Sequence, residues 1–213
     1  MNLIVNLQVY QRSKLFACVK NTHDMLSVCL SSIEYLQYWQ GNPKTPRRPY
    51  MLIDIDDTQR IFLIDVDKII SFSFPLNIKI KDADVCDPQN VITGFYLRRH
   101  LITAREISEA KQILSNCSEV DSLYCYNVIE EDSVISEKTM FLFEHLLFSE
   151  WGYLRFDHDP SHAIEGMHPE NHFDINFTRA ISYKIGLTKC WDIKEIMNMI
   201  KKDVPCATLE YKI

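Results

Sequence analysis

Residues 50–74 read YMLIDIDDTQRIFLIDVDKIISFSF. YMLIDIDD and QRIFLIDVD are two apolar runs around Asp57-Thr58, and IISFSF follows. Short runs of β-branched and aromatic residues joined by tight turns predict an antiparallel meander. LNIKIK (76–81), past Pro75, and VITGFYLRR (91–99), after an Asp87-Pro88 turn, extend the strand-rich block. Asp54, Asp56, Asp57, Asp65 and Asp67 alternate with Leu52, Ile53, Ile55, Phe62 and Ile64. They are expected on the exposed face of the hairpin. IDIDDT (53–58) resembles an acidic phosphatase motif, but no glycine-rich phosphate loop accompanies it.

Helical spacing flanks this block. Asn21 and Thr22 are capping residues ahead of HDMLSVCLSSIEYLQYWQ (23–40), in which Met25, Val28, Cys29, Ser32, Leu36 and Trp39 share one face. Gly41-Asn42-Pro43 ends that helix, and the Pro-rich loop to Pro49 is the clearest linker. Residues 3–10 fit a strand or a short helix. Downstream, a helix is expected over Ala104–Asn116, with Ile107, Ala110, Ile113 and Leu114 inward, and a strand over SLYCYNVI (122–129). A further helix is expected in SEKTMFLFEHLLFSEW (136–151), capped by Ser136. The C-terminal part reads as a strand GYLRFDHD, a hairpin of HFDINF and ISYKIGL, and an amphipathic helix from Thr188 to Lys202 capped by Asp192. The expected fold is α+β, a mostly antiparallel sheet packed by several helices. Residues 1–213 form a single such domain, with an N-terminal helical subregion over 1–49.

Composition narrows the function classes. The chain has 213 residues, 46% hydrophobic and 24% charged, with a net charge of −6. That is globular composition with no overall attraction to phosphate. Binding to nucleic acid would need a local basic patch, such as Lys44, Arg47 and Arg48, or Arg98, Arg99, His100 and Arg105; both also read as solvated loop or strand ends. Seven cysteines without a C-x-x-C pair, several in apolar stretches such as LFACV and LSVCL, read as reduced thiols filling a core. The N-terminus lacks the pattern of a cleaved leader, and no apolar run has the length of a membrane span. A cytoplasmic location and no membrane partner are the expectation.

The chemistry concentrates in RFDHDPSHAIEGMHPENHFDIN, residues 155–176, which holds four of the seven histidines. Alternation sets Arg155, Asp157 and Asp159 on one face of their strand, opposite Leu154, Phe156 and His158. It likewise sets His172, Asp174 and Asn176 opposite Phe173, Ile175 and Phe177. If the two strands pair, Arg155, Asp157, His172 and Asp174 meet. His168 and His172, four residues apart around Pro169, could converge on a divalent cation, with Asp159, Asp157 or Asp174 completing or orienting the shell. Two histidines beside an arginine also suit phosphodiester cleavage. One would act as base and the other as acid, with Arg155 or Lys184 holding phosphate. The bland alternative is equally available: turn formers, an Arg155–Asp174 pair and the wet face of a sheet. His145, in FLFEHLLF, reads as a satisfied core or boundary histidine.

R-F-D-H-D-P, a short insert, then H-P-E-N-H-F-D-I-N and a closing amphipathic helix resemble a bacterial family catalogued as domain of unknown function 2290. The resemblance spans roughly Trp151 to Ile200. It departs at SYKIGL, where the family tends to carry an arginine followed by Ile-Pro. It implies a bacterial or phage-related origin and supplies no activity. The function expected from the Arg/Asp/His cluster is a cytoplasmic phosphodiesterase or nuclease, and the resemblance suggests the setting of a toxin or antiviral-defence system. His168, His172, Asp174, Arg155 and Asp157 would carry the reaction, and His168, His172 and Asp159 would hold any divalent metal. The substrate partner would be nucleic acid or a nucleotide. The rival is a non-catalytic binding subunit of a larger complex. A large aromatic surface around Tyr35, Tyr38 and Trp39 would favour the rival, and a cleft holding both histidines would favour the enzyme.

Overall fold

The meander around Asp57-Thr58 is present as β2 (Tyr50–Asp54), β3 (Arg60–Ile64) and β4 (Lys68–Ser73), each antiparallel to the next. The computed structural model describes residues 2–39, 41–81, 91–117, 135–165, 167–177 and 183–205. The strand expected over 122–129, the Asp87-Pro88 turn, and Cys86, Cys125 and Cys206 lie outside the described residues. Among the described residues there are five α-helices and ten strands, and the fold is α+β.

The main sheet has seven antiparallel strands. On one side of the meander stands β1 (Asn2–Asn6). On the other stand β8 (Leu154–His158), β9 (Asn171–Ile175) and β10 (Tyr183–Gly186), giving the order β1-β2-β3-β4-β8-β9-β10. The strand block is therefore not one continuous meander. β5 (Asn77–Lys81), β6 (Val91–Leu97) and β7 (His100–Ile102) form a separate three-stranded sheet. Residues 3–10 are both expected elements in succession, since β1 is followed by α1 (Val9–Leu15).

Three helices cover one face of the main sheet: α2 (Thr22–Leu36), α3 (Ala104–Asn116) and α4 (Glu137–Leu147). Their starts are chemically marked. The Asn21 side chain accepts from the Asp24 amide at 2.9 Å, and the Ser136 hydroxyl accepts from the Thr139 amide at 3.2 Å. Each such cap is worth about 1 kcal/mol. Met25, Cys29, Ile33, Ile107, Ile113 and Leu142 pack on Leu3, Met51, Ile53, Ile61, Leu63 and Ile70. The other face, with Leu52, Phe62, Ile64, Phe156 and Phe173, is covered by Ile196 and Met197 of α5 (Ile193–Ile200), which starts at Asp192. The segment before Pro49 thus contributes a strand to the main sheet and a helix to its cover.

Cover on both faces explains one departure from expectation. Sheets buried on both sides carry near-continuous apolar strands, so β2 and β3 have no exposed face for their aspartates. Asp56, Asp57 and Asp67 are exposed, but Asp54 and Asp65 are buried. Asp54 closes the turn, accepting from the Thr58 hydroxyl at 2.9 Å. Asp65 is ion-paired to Arg12 of α1. The thiols also divide. Cys29 and Cys117 fill the core, whereas Cys18 of LFACV is exposed. His145 Nε2 donates to the Pro75 carbonyl oxygen, 3.0 Å away, which makes it a satisfied boundary residue. No helix among the described residues is long and apolar enough to cross a membrane.

Candidate functional site

Residues directly opposite one another in an antiparallel pair project to the same face. Between β8 and β9, Arg155 faces Asp174 and Asp157 faces His172. Between β9 and β10, Lys184 faces Asp174 and Gly186 faces His172. Arg155 also faces Ile70 of β4, so the polar group lies on the side of the sheet that the helices cover. Here that cover gives way to a cleft of about 930 Å³, with Arg12 and Phe16 from α1 and its end on one wall and Arg155, Asp157, His168, His172 and Lys184 on the other.

The four expected residues come together. Arg155 Nε donates to Asp157 Oδ2 at 2.7 Å, and its Nη2 is ion-paired to Asp174 Oδ2. Lys184 Nζ lies 2.9 Å from Asp174 Oδ1 and 3.0 Å from His172 Nε2. Burial alone would raise the Asp174 pKa. The Lys184 hydrogen bond and the Arg155 charge outweigh it and hold the carboxyl below its ordinary range. Burial would likewise lower the Arg155 pKa, and the charges of Asp157 and Asp174 reverse that, so the guanidinium stays charged.

His172 is only 1% exposed. Its Nδ1 lies 2.8 Å from the Pro169 carbonyl oxygen, which can only accept, so Nδ1 carries the proton. Nε2 then presents a lone pair to the Lys184 ammonium, with Asp157 Oδ2 at 3.7 Å. His168 meets His172 edge to face, the ring centroids 4.6 Å apart. Reciprocal backbone bonds with Ile164, at 2.8 and 2.9 Å, fix the His168 backbone. Two buried polar atoms at this cleft have no partner in the protein, Asp157 Oδ1 and His168 Nδ1. Buried polar atoms rarely stay unpaired, and an unpaired pair at a cleft marks where a ligand or water belongs.

The donor group that the structure gathers shares only His172 with the expected metal set of His168, His172 and Asp159. Asp157, His172 and Asp174 each offer a donor atom, all within 4.8 Å of one another, and this group could hold a metal ion. Asp159 stands outside it, because β8 ends at His158 and the chain turns. Asp159 caps the short turn Pro160–His162, accepting from the Ser161 hydroxyl at 2.8 Å and the His162 amide at 3.2 Å. The His162 and Ser161 side-chain hydrogen bonds hold its pKa at about 2. His168 is also outside the group, its ring meeting the His172 ring edge to face. Asn176 leaves the polar face as well, with a φ of +63° that ends β9.

The α1 side of the cleft was not visible in the sequence. Arg12 and Cys18 reach the cleft, and Arg155 Nη1 comes within 3.9 Å of Cys18 Sγ. Nothing local in LFACV signals proximity to a residue 137 positions away. The basic candidates at Lys44, Arg47 and Arg48 and at Arg98, Arg99 and His100 lie apart from the cluster, in a loop and at the β6–β7 turn. No family model, curated protein or solved structure matches this chain.

Proposed function

We propose that this cleft is the active centre of a phosphodiesterase or nuclease acting on nucleic acid or a nucleotide. The observation that carries the reading is His172. It is a buried imidazole in a defined tautomer, its lone pair turned to a cation and a carboxylate, at the wall of a cleft that also holds His168. Arg155 and Lys184 are anchored by Asp157 and Asp174 before any substrate arrives. Cations fixed in advance stabilise a developing phosphorane charge without reorganisation. On binding, the Lys184 ammonium transfers from His172 Nε2 to a phosphate oxygen. The freed Nε2 takes the proton of the attacking hydroxyl or water, and His168 gives a proton to the leaving oxygen. A cytoplasmic bacterial toxin or antiviral-defence protein is the setting that the resemblance to domain of unknown function 2290 supports.

The binding-subunit reading called for an aromatic surface. Trp39 is buried, its Nε1 bonded to the Ile4 carbonyl, and Tyr35 is half-buried; of that trio only Tyr38 is exposed. The cleft holds both His168 and His172, and this favours the enzyme reading. Its test is cleavage of RNA, single-stranded DNA, duplex DNA and cyclic nucleotides by wild type and His172→Ala, with and without divalent ions. Turnover by wild type that His172→Ala abolishes, with circular dichroism unchanged, is the expected result. A wild type that cleaves none of these substrates returns the cleft to the binding reading.

A further inference from the structure

We propose that Lys184 is the resident cation of this cleft and that, with its ammonium removed, Asp157, His172 and Asp174 bind one divalent transition-metal ion. This holds whichever substrate the cleft takes, because it concerns occupancy and is read without turnover.

Three observations converge. The first is position. Lys184 Nζ lies 3.0 Å from His172 Nε2 and 2.9 Å from Asp174 Oδ1, so the ammonium sits between two of the three donors. The second is the state of the donors. Metal-bound histidine is a neutral imidazole whose other ring nitrogen donates to a carbonyl or carboxylate. His172 already makes that second hydrogen bond, with Nδ1 2.8 Å from the Pro169 oxygen. Asp157 Oδ2 is 3.7 Å from Nε2. Donors on one tetrahedral zinc ion, with bonds near 2.1 Å, stand about 3.4 Å apart. The third is Asp157 Oδ1, which is buried and has no partner in the protein, although its residue is only 9% exposed. It offers a further oxygen that no ion pair consumes.

Charge explains why the lysine excludes an ion. Arg155 and Lys184 balance Asp157 and Asp174 within the described cluster. A divalent ion entering that neutral group would add two uncompensated charges in a buried place, which is costly. Without Lys184 the group is left with one net negative charge and a lone pair, a setting that welcomes a cation. One imidazole with carboxylate oxygens suits Zn²⁺, Co²⁺ or Ni²⁺ better than Mg²⁺ or Ca²⁺. Lys184 stands on the last strand of the sheet order, β10, with its side chain 29% exposed.

The experiment titrates Co²⁺ and Zn²⁺ into untagged wild type, Lys184→Ala and Lys184→Met. Lys184→Met keeps the bulk of the side chain should the alanine variant fold poorly. The expected result is a Co²⁺ ligand-field band that saturates at one equivalent in either folded variant and is lost when His172→Ala is added. A Zn²⁺-dependent rise in melting temperature should follow the same pattern, and wild type should show neither. Wild type binding one ion through His172 as tightly as the variants overturns the proposal. So does a folded Lys184 variant that binds none, or a band that survives His172→Ala.

Discussion

His172 Nδ1 stands 2.8 Å from the carbonyl oxygen of Pro169, three residues earlier in the chain. This one bond orients the imidazole, chooses its tautomer and ties the H-P-x-x-H turn to β9. The cluster's chemistry and the local backbone are therefore coupled, and substitutions should separate their contributions.

Gly186 tests that coupling. It faces His172 across β9–β10, and a Cβ built there would lie 2.8 Å from Pro169 Cγ. A proline ring cannot swing aside, so Gly186→Ala must displace Pro169 and its carbonyl. We expect a loss of about 1–3 kcal/mol, typical of overpacking, in urea unfolding. The ¹⁵N shifts of the His172 ring should also move toward a mixed tautomer. Unchanged ring shifts would mean that Pro169 does not set the tautomer.

Arg155 should matter for stability as well as activity. It bridges Asp157 and the buried Asp174, and its own side chain is 18% exposed. Removing one partner from a buried ion pair typically costs about 3–5 kcal/mol, because the remaining charge is left uncompensated. Lys184 still contacts Asp174 in Arg155→Ala, so the loss should fall at the low end, and Arg155→Ala/Asp174→Asn should recover part of it. Denaturation of the two variants decides this. A double variant less stable than the sum of the single effects would contradict the pairing.

Catalytic roles should separate by magnitude. General acid–base catalysis contributes about 10²–10⁴-fold, and His172→Ala should lose that much turnover. Asp174→Asn retains the position of an oxygen near Lys184 and should lose less. If the two losses are equal, Asp174 does more than hold its neighbours.

Acid should loosen the α3–α4 contact. Glu109 accepts from the Thr139 hydroxyl and from the Ser136 amide at 3.2 Å. The Thr139 hydrogen bond leads the effects that hold its pKa at about 2. An unfolded-state glutamate titrates at about 4.3. A depressed carboxyl stabilises the fold above that value, and the stabilisation disappears as pH falls from there through about 2. Thr139→Val should therefore flatten the pH dependence of unfolding in this window and leave it unaltered above pH ~5. An unchanged acid slope would show that the contact contributes no such stabilisation.

What the sequence by itself determined is local and periodic. Caps at Asn21, Ser136 and Asp192 appear where expected, and so do the strands around Asp57-Thr58 and the inward faces of α2 and α3. Strand alternation also assigned Arg155 and Asp157 to one face and His172 and Asp174 to another, because a period of two assigns faces without knowing the neighbours. It could not say which strand lies alongside, nor what covers a face. Only the tertiary structure put β8 between β4 and β9 and buried Asp54 and Asp65 under a second layer. Only it brought α1 to the cleft and set Lys184 on His172. Those contacts join residues far apart in the chain, and their energies come from burial and charge pairing that no single segment contains.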